Sequence, residues 1–102
     1  MDNVEKVLAS HSRKLDLGCG IRKREGAVGV DVIANDNVDV IHDLNIYPYP
    51  FEDSSFDDIL MDNSIEHLDD VVRTMEEVWR ICAKWATVTI KVPYFRSHYA
   101  ID

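Results

Sequence analysis

Carboxylates and glycines recur where apolar runs give out: "LDLGCG" at residues 15–20, "GVDV" at 29–32, "HDLN" at 42–45, and Asp62 to Ser64. The first of these gives up side chains at Gly18 and Gly20 and sets Asp16 between two leucines. A missing Cβ lets backbone approach a ligand, and a glycine turn after a first strand commonly serves a nucleotide or nucleoside. A carboxylate at the end of the next strand can accept both hydroxyls of a ribose as a charge-assisted pair, which suits Asp31. After the third strand, Asp43 can accept from an adenine amino group while the Leu44 N–H meets a ring nitrogen.

Two ligand classes compete for such a turn. A dinucleotide needs a third glycine three residues after the second, but Lys23 stands there. Its pyrophosphate also needs a helix N-terminus, and the ten residues 18–27 leave room for about one helical turn at most. S-adenosylmethionine carries no phosphate; it offers a ribose diol, an adenine edge, an amino-acid end and a sulfonium. Asp16 would then stand beneath the turn, near the ligand's ammonium, and hold the loop.

The elements that must position these residues follow from periodicity. Val4, Val7 and Leu8 share a helical stripe behind an Asp2 or Asn3 cap, which predicts a short leading helix. "RKLDL", residues 27–33, residues 38–42 and residues 58–61 read as four strands. Pro48 and Pro50 make "IYPYPFEDSS" a loop. Asp69 or Asp70 caps the strongest helix, whose stripe is Val71, Val72, Met75, Val78, Trp79 and Cys82. "WATVTIKVPY" reads as a fifth strand, with Thr87, Thr89 and Lys91 alternating against Val88, Ile90 and Val92. Strands separated by helices or long connections predict a mostly parallel sheet, with ligands outside the carboxyl ends of its strands.

Composition narrows the classes of function. At 102 residues the chain is one domain, and 46% hydrophobic with 29% charged residues is a globular balance. A net charge of −8 argues against nucleic acid, and no apolar run approaches the roughly 20 residues of a membrane helix. The basic cluster Arg22, Lys23 and Arg24 reads first as a solvated loop and second as a contact for an anionic substrate. Cys19 and Cys82 form no CxxC pair, the four histidines show no metal-ligand spacing, and the N-terminus is too polar for a signal peptide. A cytoplasmic protein without a metal site is expected.

In order, "LDLGCG", "GVDV", "HDLN", "PFEDSSFDDIL", "NSIEHL" and "IKVPY" resemble a class I S-adenosylmethionine-dependent methyltransferase of the type 11 branch, over residues 15 to about 95. The resemblance implies a three-layer Rossmann-like α/β fold, a five-stranded sheet of order 3-2-1-4-5, and methyl transfer to a small molecule. It implies that Gly18, Cys19 and Gly20 line the cofactor's amino-acid end. It implies that Asp31 holds the ribose, that Val32 packs on adenine and that Asp43 with Leu44 reads its edge. Asn63 and Ser64 would offer backbone to the amino group and face the methyl.

Several residues read as structural instead. Cys19 is a small residue in a tight loop, and His67 with Glu66 is packing at a helix start rather than a base. Tyr94, Phe95 and Tyr99 suit an aromatic wall, strand-end packing or a dimer surface equally. Three departures from the family pattern stand out: Arg22 replaces a third glycine, "AKWA" at 83–86 must turn without glycine, and the family's strands beyond "VPY" are absent from these 102 residues. The expectation is therefore a single, partial cofactor-binding domain whose fifth-strand edge is covered by a second copy or by a complementing chain. The alternative is a non-catalytic or truncated module acting through that edge.

Overall fold

The computed structural model describes residues 13–93. The leading-helix residues Val4, Val7 and Leu8 and the aromatics Tyr94, Phe95 and Tyr99 lie outside them. Five strands form one sheet: β1 (Lys14–Leu17), β2 (Val28–Asp31), β3 (Val40–Ile41), β4 (Phe56–Asp62) and β5 (Cys82–Lys91). Their order is β3-β2-β1-β4-β5 with every pairing parallel, as expected. No described helix is long and apolar enough to cross a membrane.

Alternation along β1 decides the two faces. Leu15 and Leu17 point to one side and meet Val28, Val30, Ile59 and Met61 in a fully buried core. Asp16 points to the other, in register with Gly29 and Leu60. The described connections β1–β2 and β2–β3 contain no helix. Their close passage needs Gly29, where a Cβ would lie 2.4 Å from the Asn37 carbonyl oxygen.

Helix α1 (Val71–Ile81) covers the core face, and the Asp70 carboxylate caps it by accepting from the Arg73 N–H at 2.9 Å. The expected inward stripe is only partly right. Val78 is buried, but Val72 and Trp79 are 72% and 82% exposed and Val71 is half exposed. The helix turns Thr74, Glu77, Val78 and Ile81 inward instead. Polar contacts with the proline loop set this rotation. Glu77 Oε1 accepts from the Tyr49 N–H at 2.7 Å, and the Tyr47 and Thr74 hydroxyls share a 2.8 Å hydrogen bond. Arg80 donates to Glu77, Asp53 and the carbonyls of Tyr49 and Phe51. Hydrogen bonding from Arg80 holds the Glu77 carboxyl below the ordinary glutamate range, against the opposing effect of burial.

The fifth strand starts earlier than expected, at Cys82, with no loop after α1. Phe56 pairs with Cys82 but Asp58 with Thr87, so residues 83–86 bulge out of the ladder. The glycine-free turn falls here, with Trp85 at φ +67°.

Arg80→Ala would strand a buried carboxylate and two carbonyls, and should cost about 2–3 kcal/mol in urea unfolding at pH 7. Because Glu77 has a lowered native pKa, its contribution is complete above the ordinary glutamate value and disappears as pH falls through the native one. The deficit of Glu77→Gln should therefore shrink on acidification; a deficit independent of pH would contradict the Glu77–Arg80 pairing.

Candidate functional site

The turn after β1 is tied to both neighbouring strands. The Gly18 and Cys19 N–H groups donate to the Val30 carbonyl at 2.8 and 3.0 Å. Gly18 sits at φ +75°, and a Cβ there would lie 2.6 Å from Ser64 Cβ, so no other residue fits without displacing β4's end. Ser64 Oγ donates to the Leu17 carbonyl at 3.0 Å, closing the same seam.

That turn also orients Asp31. Its Oδ2 accepts from the Gly20 N–H and its Oδ1 from the Val32 N–H, each at 2.7 Å. Oδ1 also accepts from the Ile33 N–H at 3.4 Å, so it is Oδ2 that keeps a further lone pair for a ligand hydroxyl. Beyond β3, Asp43 Oδ1 accepts from the Asn45 N–H at 2.9 Å in an Asx turn. Asn45 Oδ1 in turn accepts from the Asp69 N–H at 2.9 Å and ties this loop to the segment before α1. Asn63, at φ +56°, donates its N–H to the Lys91 carbonyl at 2.8 Å and leads into a 3₁₀ turn, Ile65–His67.

These strand ends enclose a cavity of about 310 Å³, at the small end of the range for ligand sites. Gly18, Asp31, Val32, Asp43, Leu44, Asn63 and Ser64 all line it. Asp16, Cys19 and Gly20 are not in its wall. Gly20 acts through its N–H on Asp31, and the buried Cys19 thiol faces the Asn37 carbonyl at 3.7 Å. Burial, with Asp16 and Asp31 adding negative charge, pushes that thiol up to about 11, so it stays protonated at neutral pH. His42, Asn45 and Leu68, the outer residues of "HDLN" and the last of "EHL", also line the cavity and carry no role in the sequence reading. His67, read as structural, stands exposed at the rim.

Asp16 is 2% exposed. Its Oδ2 accepts from the Arg24 N–H at 2.8 Å and anchors the β1–β2 loop, while its Oδ1 meets no protein donor. Burial raises its pKa, opposed by the Arg24 hydrogen bond and reinforced by Asp62. Two members of the basic cluster are committed to ion pairs, Lys23 with Asp39 at 3.1 Å and Arg24 with Asp58. Among the described residues the cavity wall presents the carboxylates of Asp31 and Asp43 and no Lys or Arg, a field that repels phosphate and suits hydroxyl and amino donors. Among the described residues no group of three or more His, Cys, Asp or Glu could hold a metal. A larger cavity, about 810 Å³, lies between Trp79, Trp85 and Val88, away from the strand carboxyl ends.

Residues 15–89 match the methyltransferase domain family of type 11. Among solved structures, the fold is similar to a chain from the complex between the Haloferax volcanii Trm112 methyltransferase activator and a protein described as a methyltransferase. The TM-score is 0.63 at 22% identity, covering 90% of this chain and 52% of that one. This chain thus spans about half the length of its structural neighbour. No curated protein matches it.

A carboxylate with a raised native pKa favours folding most when protonated, so its contribution falls as pH rises above the ordinary aspartate value toward the native one. Wild-type stability should lose a component across that window which Asp16→Asn lacks. Parallel urea titrations at several pH values measure it; superimposable pH slopes would contradict a desolvated Asp16.

Proposed function

Because the chain belongs to the methyltransferase domain family, we propose that its strand-end cavity binds S-adenosylmethionine for methyl transfer to a small-molecule acceptor. One observation carries the reading: two carboxylates, Asp31 and Asp43, face one phosphate-repelling cavity beside a backbone turn that only glycine can make. The cavity fits a nucleoside with an amino-acid end better than a dinucleotide.

In this reading Asp31 accepts from the ribose hydroxyls with its oxygens already aligned by Gly20 and Val32. Asp43 and Leu44 read the adenine edge, and Val32 packs on the ring. The backbone of Gly18, Cys19 and Gly20 borders the amino-acid end, with Asn63 and Ser64 across from it. Asp16, with its unpartnered oxygen, holds the turn and supplies negative charge beneath the ammonium. The bound cofactor supplies an electrophilic methyl on a sulfonium, so the protein's task is to hold the acceptor in line with it. A base is needed only for an acceptor that must first lose a proton, and no residue is assigned that role.

The free thiols Cys19 and Cys82 suit a reducing, cytoplasmic setting. A complementing chain on the acceptor side is consistent with the structural neighbour, itself found with a partner. A second reading, a cofactor-holding module without turnover, is favoured by the cavity's volume of about 310 Å³, which leaves little space beyond a nucleoside.

Calorimetric titration with S-adenosylmethionine and its demethylated product should give micromolar binding. Asp31→Ala should weaken it 10- to 100-fold, the equivalent of about 1.5–3 kcal/mol for a charge-assisted hydrogen bond. Absence of heat from a folded sample, or equal affinity in the variant, would refute the site. Turnover on offered acceptors separates enzyme from module, and NADH at millimolar concentration should not bind.

A further inference from the structure

The turn after β3 carries the Asp43 carboxylate and the Leu44 N–H, which donates to no described residue. Two bonds close this turn on itself: the Ile46 N–H donates to the Asp43 carbonyl and the Asn45 N–H to Asp43 Oδ1, each at 2.9 Å. Leu44 is buried, but the Ile46 side chain at the exit is 58% exposed, so apolar packing holds only the middle of the turn. Two side chains of one aromatic pair supply the rest. His42 Nε2 lies 2.8 Å from the Ile46 carbonyl, and the Tyr49 hydroxyl donates to the Leu44 carbonyl at 3.0 Å. The two rings meet edge to face, with centroids 5.7 Å apart and planes at 75°. Burial pushes the Tyr49 hydroxyl up to about 12, so it stays a donor at neutral pH. A carbonyl only accepts, so His42 Nε2 carries the proton. The His42 N–H donates to the Asp31 carbonyl at 3.0 Å, and the side chain lines the cavity. One residue thus joins the strand end that bears Asp31 to the turn that bears Asp43.

We propose that His42 is a positioning residue for base selection. Through the Ile46 carbonyl it fixes the Asp43 carboxylate and the Leu44 N–H at the spacing of an adenine amino group and its neighbouring ring nitrogen. The proposal rests on the cofactor reading above and adds to it the group that makes the cavity discriminate between bases. Hypoxanthine carries the reversed pattern. It sets a carbonyl against the Asp43 carboxylate and an N–H against the Leu44 N–H, and a turn that cannot move leaves both clashes in place. A loosened turn can swing the two groups aside, so losing the His42 bond weakens adenine binding and relaxes the rejection of hypoxanthine together.

Calorimetric titration with S-adenosylhomocysteine and S-inosylhomocysteine measures that selection, because the two differ only at the base. The wild type should prefer the adenine form by about 100-fold. His42→Phe keeps a ring against Tyr49 and loses the donor; it should bind S-adenosylhomocysteine about tenfold more weakly and narrow the preference to about tenfold. His42→Gln, whose amide can donate from nearly the same point, should restore both to near wild type. Asp31→Ala should weaken both ligands by one factor, since they share the ribose. Losses in His42→Phe that fall equally on the two ligands, or no rescue by His42→Gln, overturn the proposal. A further readout needs no ligand: amide exchange at Ile46 should be about tenfold faster in His42→Phe and near wild type in His42→Gln, with the β1 amides unchanged in both. A wild type that binds neither compound refutes the cofactor site and the selection with it. Binding accompanied by unchanged Ile46 exchange in His42→Phe refutes the role of His42 alone.

Discussion

The end of β1 must lie against the end of β4 with no side chain between them, and the geometry around the cavity depends on that contact. Gly18 meets the constraint with φ +75° and a bare Cα facing Ser64. Once the seam is closed, the next N–H groups reach the Val30 carbonyl, and the Gly20 N–H arrives at Asp31. One missing side chain thus aligns three strand ends and preorients the central carboxylate before any ligand arrives, which lowers the ordering cost of binding.

Parallel sheets ordinarily bury both faces under helices. Here the described residues place α1 on one face and the β1–β2 loop on the other. That second face is more polar than the first: Asp16, Asp58, Thr87, Thr89 and Lys91 project from it beside the buried Leu60. Arg24 reaches Asp58, and Lys23 meets Asp39, whose Oδ2 also accepts from the Gly29 N–H at 2.7 Å. Ion pairs and backbone acceptors thus fix connections too short to form helices.

The strands and most of the cavity wall were legible in the sequence because each signal was local, whereas the order of the strands came from the family resemblance. An apolar run ending in a carboxylate marks a strand end whatever packs around it, so Asp31, Asp43 and the Gly18 turn could be found in order. The rotation of α1 could not be read in this way. Periodicity proposed Val71, Val72 and Trp79 as core, whereas Glu77 and Thr74 face inward because their partners, Tyr49 and Tyr47, come from a distant loop. The same limitation hid Asn45, whose importance lies in a bond to Asp69 across 24 positions of sequence. The ladder slip at 83–86 gave a partial signal in the absence of glycine from "AKWA", but its register is set by β4.

The junction between α1 and β5 contains no slack. Ile81 ends the helix, Cys82 begins the strand, and the Ser54 and Ser55 N–H groups clamp the carbonyls of Arg80 and Ile81 at 2.9 Å. At the far end of the same strand, the Lys91 carbonyl holds the Asn63 N–H at the cavity wall. One strand therefore runs from the helix to the cavity wall, interrupted by the bulge at residues 83–86. Asn63, at φ +56°, thus takes its position from two strands at once: β4 leads into it and β5 holds its N–H.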